Sequence, residues 1–66
     1  MLFKVTGMTC GHCARAVTRA LQALDPQASV EVDLGKGEVL ANGTFAAADA
    51  IAAIESEGYA AELLQA

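Results

Sequence analysis

Gly7-Met8-Thr9-Cys10-Gly11-His12-Cys13-Ala14 holds both cysteines, the single histidine and one of the two methionines of this 66-residue chain. The stretch separates two different patterns. Leu2 to Thr6 alternates apolar and polar around Phe3 and Val5, the period of a half-buried strand. From about His12 to Leu24, Cys13, Val17, Ala20, Leu21 and Leu24 recur at helical spacing, with Arg15, Thr18, Arg19 and Gln22 on the other face. A strand that turns at Gly7 and enters a helix puts two thiols where the helix begins. Thr9 is placed to cap that helix through its hydroxyl.

The position changes the chemistry of sulfur. The free N–H groups and positive dipole end of a helix stabilise an anion, so a cysteine there favours its thiolate. Cys10 is expected in the loop and Cys13 in the first turn, and two thiolates at that spacing converge on one soft cation. Soft sulfur donors select Cu(I), with Zn(II) as the competitor. The chain has no second CxxC and no histidine pair to close a tetrahedral zinc site. Two ligands alone suit an ion that tolerates low coordination and is meant to leave.

The rest of the chain supplies the frame. Asp25-Pro26 ends the first helix, because the residue before proline avoids the helical region. Ser29 to Leu34 alternates cleanly and reads as a strand. Gly35-Lys36-Gly37 turns it into a hairpin with Glu38 to Asn42. Thr44 is placed to cap a second helix over about Phe45 to Glu57, with Ala47, Ile51 and Ile54 inward and Gly58 as its C-terminal stop. Ala60 to Leu64 is a last strand, with Ala61 and Leu63 facing the core. Strand-helix-strand twice over calls for one sheet with both helices on the same side, an α+β domain spanning 1-66.

Composition narrows the function classes. A net charge of −4 and a pI of about 4.5 argue against nucleic acid and against a basic membrane-surface helix. No apolar run approaches the roughly 18 residues that cross a bilayer, and no signal peptide opens the chain. A soluble cytoplasmic protein with free thiols is therefore expected. Apart from the thiols there is no constellation of base and nucleophile, so no enzyme is expected.

On Gly7, Met8, Thr9, Cys10 and Cys13, with Gly58-Tyr59 near the far end, the whole chain resembles the heavy-metal-associated domain, and within it the small bacterial copper chaperones. The resemblance implies a ferredoxin-like βαββαβ fold with antiparallel strand order 4-1-3-2. It implies Cu(I) held by Cys10 and Cys13 and passed to the metal-binding domain of a copper-transporting P-type ATPase. Met8 would support the metal loop from within the core. Tyr59 occupies the aromatic position beside that loop, where its hydroxyl could donate to a thiolate or its ring could shield the metal; an ordinary amphipathic tyrosine is the plainer reading.

Several alternatives stand beside this. Thr9, Gly11 and His12 border the site. His12 could add a nitrogen ligand and favour Zn(II), although its helix position points away from Cys13. Arg15 and Arg19, four residues apart, share one helix face and form either a docking patch for an acidic partner or merely a solvated surface. The chain could be a metal-binding domain of the ATPase itself, or a Zn(II) or Hg(II) carrier. Cys-Gly-His-Cys also matches the active-site tetrapeptide of protein disulfide isomerases, but Thr9 replaces the preceding tryptophan and Pro26 follows the helix instead of facing the thiols. The apo form is expected to be a monomer, with an exposed two-coordinate site able to bridge two copies through shared Cu(I).

Overall fold

The computed structural model describes all 66 residues. β1 (Leu2–Thr6) leads into α1 (Gly11–Leu24), β2 (Ser29–Asp33), β3 (Glu38–Asn42), α2 (Ala47–Ser56) and β4 (Ala60–Gln65). The four strands form one antiparallel sheet in the order β2-β3-β1-β4. This is the βαββαβ ferredoxin-like arrangement, and read from the other edge it is the expected 4-1-3-2 order.

Register sorts the strand residues between the two faces. Phe3 lies opposite Val39 on one side and Leu63 on the other, and Val39 lies opposite Val32. Directly opposed residues share a face, so these side chains form one apolar layer under the helices. Val17 and Leu21 of α1 and Ala50 and Ile54 of α2 close onto it. Phe3, Val17, Leu21, Val39 and Ile54 are fully buried. Met8 joins this core from the loop, directly before Thr9 and Cys10.

Several local expectations shift. Leu24 and Leu63 were expected in the core but are 44% and 37% exposed. Leu24 ends its helix beyond the sheet, and Leu63 shares the core face but sits on the edge strand β4. Ala50 takes a fully buried place that the alanine-rich pattern of α2 did not single out, while Ala47 and Ile51 pack partly buried against the core. β2 stops at Asp33, because the Asp33 carboxylate accepts the Lys36 amide at 3.1 Å and starts the turn one residue early. Thr44 does not cap α2. Ala46 stands at the cap with no side-chain bond, and the Thr44 amide donates instead to Asp25 Oδ2 at 3.0 Å.

Asp25 does double service at that end of the molecule. Its other oxygen accepts the Gln27 amide at 3.0 Å. One carboxylate thus ties the loop after α1 to the loop before α2, and these bonds from Gln27 and Thr44 hold its pKa below the ordinary carboxylate value.

Candidate metal centre

The loop from Gly7 to Cys10 carries the chain from the sheet to the start of α1. Gly7 adopts φ +105, a region that side-chain-bearing residues avoid. A Cβ there would stand 3.2 Å from Cδ1 of Tyr59. The bare glycine is therefore the seat of the Tyr59 ring, which arrives from the far end of the chain just after α2. Met8 then anchors the loop in the core, leaving Thr9 and Cys10 exposed.

Cys10, not Thr9, is the cap residue of α1. Its backbone is extended (φ −159, ψ 176), and its carbonyl accepts the amides of Cys13 at 3.1 Å and Ala14 at 3.3 Å. No side chain caps the helix. Thr9 lies one residue too early for that role. The helix begins at Gly11, one residue before the expected start, so Cys13 is the third residue of the first turn.

The two sulfurs lie 3.9 Å apart. Cys10 is exposed and Cys13 half-buried, and neither forms a disulfide. The Cys13 thiol is lowered from 9.0 to about 6. The backbone of Thr9 bonding to the sulfur contributes most, followed by the Tyr59 hydroxyl; the backbone and thiol of Cys10 add smaller effects, against some desolvation. The reciprocal effect pushes the Tyr59 hydroxyl up, first through its bond to Cys13 and then through burial and the charges of Cys13, Cys10 and Glu57. Near pH 7 the site therefore favours at least one thiolate, through the neighbouring Thr9 backbone and Tyr59 phenol.

The remaining candidates take definite places. His12 and Gly11 are exposed on the first turn, one helix step from half-buried Cys13. Successive helix residues diverge by about 100°, and no hydrogen bond joins His12 to either sulfur. Arg15 and Arg19 are exposed and line a groove of about 360 Å³ between α1 and β2, with Val30 and Val32 at its base. No group of three or more His, Cys, Asp or Glu side chains converges anywhere on the chain. The amide of Thr9 and the bare seat at Gly7 are the parts of the site that side-chain reading missed. Only the glycine left a signal in the sequence.

Three comparisons bear on this arrangement. The heavy-metal-associated domain pattern matches residues 2–60. A copper chaperone CopZ from Staphylococcus aureus is 39% identical over 61 residues, covering 88% of this chain and 90% of that protein. A copper-exporting P-type ATPase from Vibrio cholerae is 38% identical over 61 residues, covering 91% of this chain but 7% of that much longer protein. Among solved structures, the copper chaperone Atx1 from Synechocystis PCC6803 superposes with a TM-score of 0.91 at 35% identity, covering 94% of this chain and 98% of that one. No helix of the chain is long and apolar enough to cross a membrane.

Proposed function

The chain belongs to the heavy-metal-associated domain family, and on that premise we propose that it is a Cu(I) metallochaperone that carries one ion between Cys10 and Cys13 and yields it to the metal-binding domain of a copper-transporting P-type ATPase. The observation that carries this reading is the sulfur pair itself: 3.9 Å apart, one member exposed, at a helix start. The copper-chaperone relatives support the choice of metal, and soft sulfur donors support the cuprous state.

At the zinc–thiolate bond length of about 2.3 Å, a linear S–metal–S unit needs about 4.6 Å between sulfurs. The pair at 3.9 Å must open by about 0.7 Å to be linear, and otherwise holds the ion in a bent geometry with one side free. Cys10 supplies the movement, being exposed at the cap. Either way a third thiolate can approach from solvent.

Transfer then proceeds by ligand exchange without change of oxidation state. A partner thiol gives up its proton to solvent, and its thiolate binds the ion as a third ligand. One Cys–Cu bond breaks, a second partner thiolate enters, and the remaining bond breaks. Cys13 can depart without first taking a proton, because its thiolate is favoured near pH 7. His12 stays outside the ligand set. Arg15 and Arg19, beside the site on α1, orient an acidic partner. The ATPase relative favours a second reading, in which the same pair receives the ion as a domain of the pump; the exchange chemistry is identical and runs in reverse.

The test is a Cu(I) against Zn(II) competition under anaerobic, reducing conditions, with thiols counted before and after. Cu(I) is expected to win by many orders of magnitude and to protect both thiols. Replacing both Cys10 and Cys13 with serine is expected to abolish tight Cu(I) binding and leave the fold intact. A folded double variant that still holds Cu(I) tightly would refute the assignment.

A further inference from the structure

Both helices lie on one face of the sheet, and the other face is open. By register, Leu2 of β1 stands opposite Leu40 of β3, and Leu40 stands opposite Glu31 of β2. A groove of about 640 Å³ runs along this face to the β2 edge, where Val32 joins Leu2, Leu34, Leu40, Glu31, Asp33 and Glu38 in its lining. Leu34 and Leu40 are 40% and 41% exposed. A single exposed leucine is ordinary. Here three, Leu2 among them half-buried, line one groove together with three carboxylates. The neighbouring cation on the face, Lys4, lies between Glu38 and Glu62 in the register and donates to the Lys36 carbonyl.

Charge decides what such a surface can take. A second copy meeting this face about a two-fold axis would bring three carboxylates against the same three, which is unfavourable. Nucleic acid and anionic lipid surfaces are repelled for the same reason. We infer that the open face docks a cationic amphipathic segment of a partner protein, its apolar side chains on Leu2, Leu34 and Leu40 and its lysines or arginines against Glu31, Asp33 and Glu38. The surface is on the side of the sheet away from α1, so an occupant leaves the helix that carries Cys13, Arg15 and Arg19 uncovered. The inference stands apart from the metal reading and survives its failure.

The probe is a short helical peptide of leucine and lysine, titrated into the isotope-labelled apo chain and followed by amide chemical shifts. The control peptide keeps every lysine and replaces leucine with serine. Shifts are expected at Leu2, Glu31, Glu38 and Leu40, with the control peptide binding roughly fivefold more weakly or worse. Leu40→Ser and Glu31→Lys, both at exposed positions that preserve the fold, are each expected to weaken binding by about fivefold or more. Arg19→Glu is expected to leave binding no weaker. Shifts centred on α1, equal binding of the control peptide, or undiminished binding by a natively folded Leu40→Ser would overturn the inference. So would self-association of the chain alone through these same residues.

Discussion

Replacing Tyr59 with phenylalanine isolates one hydroxyl. The ring stays over Gly7 and keeps its packing, while the proton that favours the Cys13 thiolate is removed. With its thiol at about 6, Cys13 is roughly nine-tenths thiolate at pH 7; at the unperturbed 9.0 it would be about 1%. Thiolate, not thiol, is the reacting species in alkylation, so the rate at each cysteine against pH reports its titration. The assay is iodoacetamide alkylation of the reduced apo protein from pH 4.5 to 10, with the modified cysteine identified by mass spectrometry. The wild-type Cys13 profile should have its midpoint near pH 6. In Tyr59→Phe it should move upward but remain below the ordinary thiol range, because the Thr9 backbone, the larger influence, is untouched. A wild-type midpoint near 9 would refute the account of the site. Coincident wild-type and Tyr59→Phe profiles would refute the role given to the hydroxyl.

Three other perturbations test the frame. Ile54→Ala removes a fully buried side chain from a small core and should cost about 2–5 kcal/mol, read as a lowered urea midpoint. Gly7→Ala forces a Cβ onto φ +105 and against the Tyr59 ring, and should cost about 1–3 kcal/mol while moving the Cys13 alkylation midpoint toward that of Tyr59→Phe. Asp25→Asn should lower the urea midpoint at neutral pH and flatten the acid limb of stability. The sign follows from the depressed native pKa: the wild-type contribution is complete above the unfolded value and is lost as pH falls through the lower native one. An Asp25→Asn acid limb identical to wild type would remove the tether's role.

The architecture was legible because alternation and helical spacing each persisted over whole elements. Phe3 and Val5, Val17 and Leu21, and Val30 and Val32 all lie on the faces their spacing predicts. The errors fell at element ends, where a neighbour's side chain decides the outcome. Asp33 drew the turn forward, and Asp25 took the Thr44 amide that a capped helix would have placed otherwise. Edge position exposed Leu63, because a period-two pattern gives the face of a residue but not its distance from the rim. At the site, the sulfurs and Tyr59 were named from the sequence, whereas the largest influence on Cys13 was not. It is a backbone group, present in any residue except proline, and only the path of the loop aims it at sulfur.

That origin gives the site and its surroundings different sensitivities. The influences that lower the Cys13 thiol are short-range bonds from the Thr9 and Cys10 backbone, a phenol and a thiol, with no cationic side chain among them. Such bonds act within a few ångströms and are little affected by dissolved ions, whereas exposed charges separated by more than about 8 Å are largely screened at physiological salt. Arg15 and Arg19 are exposed, so the docking role proposed for them would act through exposed charge. Raising the salt concentration should therefore slow capture by an acidic partner while leaving the Cys13 titration nearly fixed. Thr9→Ala keeps the amide and should likewise leave that titration in place. On the proposed reading, holding the ion would depend on the course of the backbone around Cys13, and finding the recipient on two replaceable side chains on α1.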